Sequence, residues 1–407
     1  MRPLMAKSAL VLLVTCALTQ AQNQQETDLR AKAQNLAHQF IIIDTHIDVP
    51  YRLRMQWEDI SQRTPKGNFD FVRAVEGGLN APFMSIYIPS EYEAQGGGKA
   101  LADTLIDMVE GFANRWPKLC AIATSVSDVT RQFKQGRLSL CLGMENGTPI
   151  EHDLSNVRYF YDRGIRYITL AHGEHNHISD SSYDSTRVWK GLSPFGRKVV
   201  AEMNRVGIMV DVSHISDDAF YEVMNISKAP VIASHSSCRA FTPGFERNMS
   251  DEMIKLLAKN RGVIMINFGN SFLHGDYQVI EGKIWSYLTT HRLRFNDPEA
   301  QTYIQQFLKD NPLPKVTVAD VAAHIDHVVK LVGADFVGLG SDFDGVGDML
   351  PEGLRDVSHY PNVIFELLKK GYSDKDIEKI CGLNLLRVWS EVEKTAHQLQ
   401  TPEKTSQ

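Results

Sequence analysis

At 407 residues, 43% hydrophobic and 23% charged, the chain is long enough to bury a wide core and too long for a small module, and either one large domain or two is allowed. A net charge of -6 leaves no basic footprint, which argues against a nucleic-acid partner.

Residues 1–22 read as a signal peptide. Arg2 and Lys7 precede the apolar run Ala9 to Leu18, small residues follow around Ala21, and a Gln-rich polar stretch comes next. The apolar run is shorter than a bilayer span, so export to a periplasmic or extracellular space is expected rather than insertion. Cys16, in LVTC, imitates a bacterial lipoprotein signal poorly because Thr15 precedes it, and anchoring through Cys16 is the weaker alternative. The folded domain is expected over residues 30–395, with a polar tail at 396–407 that frays beyond Glu393.

Eight short apolar, β-branched runs then follow one another: Ile41 to Asp44, Phe83 to Ile88, Leu138 to Met144, Tyr167 to Leu170, Ile208 to Val212, Val231 to Ala233, Val263 to Asn267 and Val337 to Leu339. Runs of this kind read as strands buried on both faces, as in a parallel sheet. Helical segments lie between them, and Gly164, Gly207, Gly262 and Gly333 mark helix ends, where glycine takes a left-handed cap cheaply. Eight strands alternating with helices is the count of an α/β (β/α)8 TIM barrel. An open doubly wound sheet is the rival, but DTHIDVP after the first strand carries none of the glycines of a phosphate-binding turn. The segment Ser271 to Pro314 has no place in a minimal barrel and is expected as an insertion over its mouth.

Residues at the carboxyl ends of barrel strands carry a barrel's chemistry. His46 and Asp48 stand two apart at the first strand end, so their side chains share a side and can reach one ion. Alone, such a pair fits a hydrogen-bonded surface turn as well. Glu145 directly follows the third run, where burial of a carboxylate calls for a cation or strong donors, whether a metal or a loop Arg or Lys. His214 and His235 are one helix and one strand apart, which sets both rings side by side over the barrel axis. Together these five donors suit one or two divalent ions of the zinc kind.

His172 follows YITLA and precedes Glu174, His175 and His177, which splay in a loop; His172 is read as a hydrogen-bond donor to substrate. Asp342 and Asp344 lie in the glycine-rich GLGSDFDGVG. Asp342, nearer the strand, suits proton transfer, with an Asx-turn as the bland alternative. Cys120, Cys141, Cys238 and Cys381 are too irregularly spaced for a zinc ribbon, and no disulfide is assigned.

DTHIDVP, GMEN, LAH, VDVSHIS, PVIASHSS, the pair Arg247 and Asn248, and GLGSDFDGV followed by PEGLRDVSHYP resemble the renal or membrane dipeptidase family, within the wider amidohydrolase group, over roughly residues 35 to 392. The resemblance implies two zinc ions per chain, one on His46 and His-partner Asp48, the other on His214 and His235, with Glu145 bridging. It also implies that a bridging hydroxide attacks the amide bond of small dipeptides, some with a D residue at the C-terminal position. His172 would steady the oxyanion, Asp342 would shuttle the proton, and Arg247 would hold the terminal carboxylate, with Arg239 a nearby competitor. Pairing into a homodimer is implied as well. A related amidohydrolase acting on another small amide, an N-acyl amino acid or a lactone, and a metal-binding protein without catalysis, remain the alternatives.

Overall fold

Nine parallel strands form in the computed structural model, which describes residues 23–401; the expected signal peptide lies outside the described residues. They are β1 (Ile42–Ile47), β2 (Leu79–Tyr87), β3 (Cys120–Ile122), β4 (Leu138–Glu145), β5 (Ile165–Thr169), β6 (Met209–Asp211), β7 (Ile232–Ser236), β8 (Val263–Ile266) and β9 (Val337–Leu339). The order β2-β1-β9-β8-β7-β6-β5-β4 closes on itself because β2 also pairs β4, from Phe83 opposite Cys141 to Tyr87 opposite Glu145. The ring is the expected (β/α)8 barrel, and its eight strands are the eight apolar runs of the sequence. β3 was not expected. It pairs with the start of β4 outside the ring, in a crossover that also holds the helices Gly98–Arg115 and Val126–Lys134.

Alternation along the strands makes two cores. Ile43, Phe83, Cys141, Tyr167, Ile232 and Met265 fill the barrel, while their strand neighbours Ile42, Met84, Leu142, Ile168, Ala233 and Ile264 pack against the surrounding helices. The helix Asn384–Gln400 sends Leu385 and Trp389 into the inner core, where the indole meets Phe83 at a centroid separation of 5.7 Å. The tail therefore does not fray from Glu393. Val392 and Ala396 are buried, and this packing holds the helix through Gln400.

Gly164, Gly207 and Gly333 end their helices at φ of 96°, 97° and 103°. At the fourth expected cap the left-handed residue is Arg261, at 65°. Gly262 is needed there for clearance, since a Cβ would fall 2.3 Å from the carbonyl oxygen of Val231.

The expected insertion folds as the helices Asn270–Leu273, Gly275–His291 and Pro298–Asp310, with a small core of its own in Ile284, Leu288, Ala300 and Ile304. Cys120, Cys141, Cys238 and Cys381 are buried free thiols. No helix among the described residues is long and apolar enough to cross a membrane.

Candidate metal centre

The expected ligands reach the mouth from strand ends, His46 and Asp48 sharing one. His46 sits within β1 and Asp48 just beyond it, Glu145 ends β4, His235 lies in β7, and His172, His214 and Asp342 each stand three residues past β5, β6 and β9. His214 and Asp342 take left-handed backbone, at φ of 70° and 64°, which costs a non-glycine residue about 1 kcal/mol or more. Backbone bonds hold both: Ser182 N donates to His214 O at 2.7 Å, and Asp342 N donates to His46 O at 3.0 Å.

Glu145 is the hub. Its Oε1 lies 3.0 Å from His214 Nε2, 3.2 Å from His235 Nε2 and 3.5 Å from His172 Nε2, and its Oε2 lies 3.3 Å from His46 Nε2. His46 Nε2 is also 3.5 Å from Asp48 Oδ2. Two ligands on one tetrahedral ion, each bonded at about 2.0–2.1 Å, stand roughly 3.3–3.5 Å apart, so most of these separations fit a shared cation. The 2.8 Å between His214 Nε2 and His235 Nε2 is shorter than such an edge. Three groupings of donors lie close enough for an ion: His46, Glu145 and His235; Glu145, His172 and His214; and His46, Asp48 and Asp342. His172, expected to face substrate, thus falls within one of these groupings, although at 3.5 Å it lies farther from Glu145 than the three expected imidazole ligands do.

Two observations show that a cation suits this cluster. His46 Nε2 and Asp48 Oδ1 are buried without a hydrogen-bond partner, which is costly unless something else meets them. Gly345 also keeps space open beside the carboxylates, since a Cβ there would fall 2.2 Å from Asp342 Oδ1 and 2.4 Å from Asp48 Oδ2.

The outer faces of the rings are fixed by residues absent from the expected site. Ser234 Oγ donates to Asp211 Oδ2 at 2.6 Å, so at 2.7 Å it accepts from His235 Nδ1–H, and His235 Nε2 keeps its lone pair. Asp211 also takes Thr169 Oγ1, Ser213 N and Ser234 N, which ties β5, β6 and β7 together under the site. His46 Nδ1 meets the hydroxyl of Tyr167 at 2.8 Å inside the barrel. Asp44 secures the end of β1 by accepting from His46 N at 3.0 Å and Ser341 N at 2.9 Å.

Burial alone would raise the Glu145 carboxyl, but the imidazoles gathered round it, His46 first, outweigh burial and hold it well below its ordinary range. Burial and neighbouring positive charge keep His214 and His235 far below the usual imidazole value, so both rings are neutral and able to ligate. Burial opposes charge on His46 too, but Tyr167, Glu145 and Asp48 outweigh it and raise that ring. Burial pushes Asp342 up to about 6, and Asn267 Nδ2 donates to its Oδ2 at 2.8 Å.

The remaining expected residues fall clearly. Asp344 is bound by Arg52 Nε at 2.9 Å and by Asn68 N, which makes it a brace of the mouth loop. Arg239 is held bidentately by Asp217 at 2.6 and 2.7 Å. Arg247 is buried, donating from Nη1 to Ser236 Oγ and from Nη2 to His235 O, with its Nε–H unpaired. His175 and His177 turn away to Asp184 and Glu93.

A closed parallel barrel with imidazoles and carboxylates converging at its mouth is an arrangement suited to a metal-dependent hydrolase. The sequence profile of the family described as membrane dipeptidase (peptidase family M19) matches residues 30–403, and the chain belongs to that family. It is 35% identical over 366 residues to the dipeptidase tcpJ of Claviceps purpurea, covering 87% of this chain and 77% of that one. It is 32% identical over 388 residues to the uncharacterized dipeptidase C3A11.10c of Schizosaccharomyces pombe, covering 91% and 85%. Among solved structures, the probable dipeptidase PvdM of Pseudomonas aeruginosa superposes with a TM-score of 0.79 at 28% identity, over 91% of this chain and 100% of that one. A metallopeptidase of Rhodobacter sphaeroides, solved with a phosphinate mimic of the dipeptide L-Ala-D-Ala, shares the fold at a TM-score of 0.72 and 23% identity, over 87% and 99%. The chain is a peptide-bond hydrolase of the metallopeptidase class.

Proposed function

We propose that the chain is a zinc-dependent dipeptidase that accepts a D residue at the C-terminal position. His46 and Asp48 would hold one ion, His214 and His235 a second, and Glu145 would serve both. The observation that carries this reading is the convergence of four imidazole Nε2 atoms on the two oxygens of Glu145, with His46 Nε2 and Asp48 Oδ1 left without partners. Bound zinc supplies a water acidified to near neutral pH and a Lewis acid for the scissile carbonyl.

The chain's own groups do the rest. Asp342, with Oδ2 fixed by Asn267, takes a proton at Oδ1 and returns it to the departing amine. His172, whose ring packs on His214 at 4.3 Å and on Tyr87 at 4.8 Å, donates to the oxygen on which negative charge develops. Arg247 has an unpaired Nε–H to offer a terminal carboxylate. A substrate that must present that carboxylate close to the scissile amide is short. From Arg2, Lys7 and the apolar run Ala9 to Leu18 we also infer export.

The test is hydrolysis of L-Ala-D-Ala and Gly-D-Phe before and after chelation, with elemental analysis of the active protein. Chelation is expected to abolish turnover and zinc to restore it. Full activity in metal-free protein refutes the proposal.

A further inference from the structure

The insertion helix Gly275–His291 has two working faces. Ile280, Ile284, Tyr287 and Leu288 turn to the insertion's own core. Gln278, Glu281, Gly282 and Trp285 recur at the spacing of one helical face and line the cavity above the metal centre.

That cavity measures about 960 Å³, close to the upper end of the roughly 300–1,000 Å³ that encloses a drug-sized ligand. A dipeptide of two small residues leaves much of it unfilled. Phe272, Trp285 and Met349 give its wall apolar area. Glu281 accepts the indole N–H of Trp285 at 3.2 Å and so fixes that ring at the rim.

Gly282 is the low point of the wall. Glycine weakens a helix relative to alanine, so its place there calls for a reason. Its backbone does not lie in the left-handed region, and a Cβ would find nothing nearer than Gln278 Nε2 at 3.8 Å. Neither backbone conformation nor packing demands it. Its clearance opens on the cavity.

The Arg247 guanidinium carbon lies 5.2 Å from the centroid of the Phe272 ring, and Phe272 lines the same cavity. Through Phe272 the insertion stands beside the arginine proposed to hold a terminal carboxylate, and Gly282 and Trp285 line the same cavity as Phe272. We infer that this face selects dipeptides whose C-terminal residue carries a large apolar or aromatic side chain, with Gly282 giving clearance and Trp285 and Phe272 giving contact. This inference rests on the dipeptidase reading above.

The test compares kcat/KM of the metal-loaded enzyme for Ala-Ala, Ala-Leu, Ala-Phe and Ala-Trp, and for the reversed series Leu-Ala, Phe-Ala and Trp-Ala. Wild type should favour Ala-Phe over Ala-Ala. Gly282→Phe and Trp285→Ala should each lower that ratio about tenfold or more, chiefly through KM, and should move the reversed series far less. Unchanged ratios in both variants, or a shift confined to the reversed series, would overturn the inference. If wild type cleaves no dipeptide, the dipeptidase reading fails. The wall is then judged by the affinities of phosphinate mimics of Ala-Ala and Ala-Phe, and a ratio equal in wild type and Gly282→Phe overturns it.

Discussion

Tyr167→Phe should weaken metal binding while leaving the barrel folded. Tyr167 is fully buried among the inward-facing side chains, with its ring 5.5 Å from that of Phe83, and phenylalanine keeps that packing. What it loses is the 2.8 Å bond to His46 Nδ1. With the phenol oxygen accepting from Nδ1–H, a bound ion would find the His46 lone pair on Nε2, toward Glu145 and Asp48; without the phenol the ring is free to carry its proton on either nitrogen. Two routes set the magnitude. Orphaning a buried donor costs about 1–3 kcal/mol. Losing the outer partner of a ligating histidine lowers metal affinity about 10–100-fold, or about 1.4–2.7 kcal/mol. The routes agree because both describe the same buried N–H. Competition with a chromophoric chelator would read the affinity, and turnover at saturating zinc would show whether only occupancy is lost. An affinity within about twofold of wild type, or turnover that saturating metal fails to restore, would refute the reasoning.

Asp342→Asn should lower kcat about 100-fold or more, as removal of a general acid–base does, with metal content by elemental analysis unchanged; retained turnover would take the proton from another group. Gly345→Ala should lower both metal affinity and turnover, because the new methyl falls 2.2 Å from Asp342 Oδ1 and 2.4 Å from Asp48 Oδ2; wild-type metal affinity would contradict this. His324 gives the pH prediction. Its Nδ1 accepts from Cys238 N at 3.0 Å and its Nε2–H donates to Leu273 O at 3.1 Å, so the folded protein holds it neutral. Burial lowers it from 6.5 to about 4. The unfolded chain therefore binds the proton first, and the stability His324 contributes, complete above about pH 6.5, is lost as pH falls toward 4, by up to about 3 kcal/mol. Urea unfolding at pH 7 and pH 4.5 should show a smaller acid-side loss in His324→Gln than in wild type; equal losses would assign the acid sensitivity elsewhere.

The ring of strands and the donors at their ends were legible in the sequence for one physical reason. A strand buried on both faces is apolar along most of its length, so an imidazole or acid at its carboxyl end stands out, and in a closed barrel those ends come to the same mouth. That logic found His46, Asp48, Glu145, His172, His214, His235 and Asp342. β3 escaped it because Cys-Ala-Ile is too short to show a period and lies outside the ring.

The groups that hold the ligands escaped it for a different reason. Tyr167 sits within an apolar run and counts there as one more core residue, yet it meets His46 across 121 positions of sequence. Asn267 closes an apolar run and reaches Asp342 across 75. Ser234 is adjacent to His235, but its role depends on Asp211, which comes from a neighbouring strand. A strand end can be read from local pattern, whereas the partner that selects a ring's tautomer depends on which strands are neighbours and in what register. Gly143 shows the coupling. A Cβ on β4 would fall 2.0 Å from the Tyr167 ring, so a glycine in one strand is what lets the next strand send its phenol to a histidine on a third. Ligand type follows from single strands, and ligand orientation from the closure of the barrel.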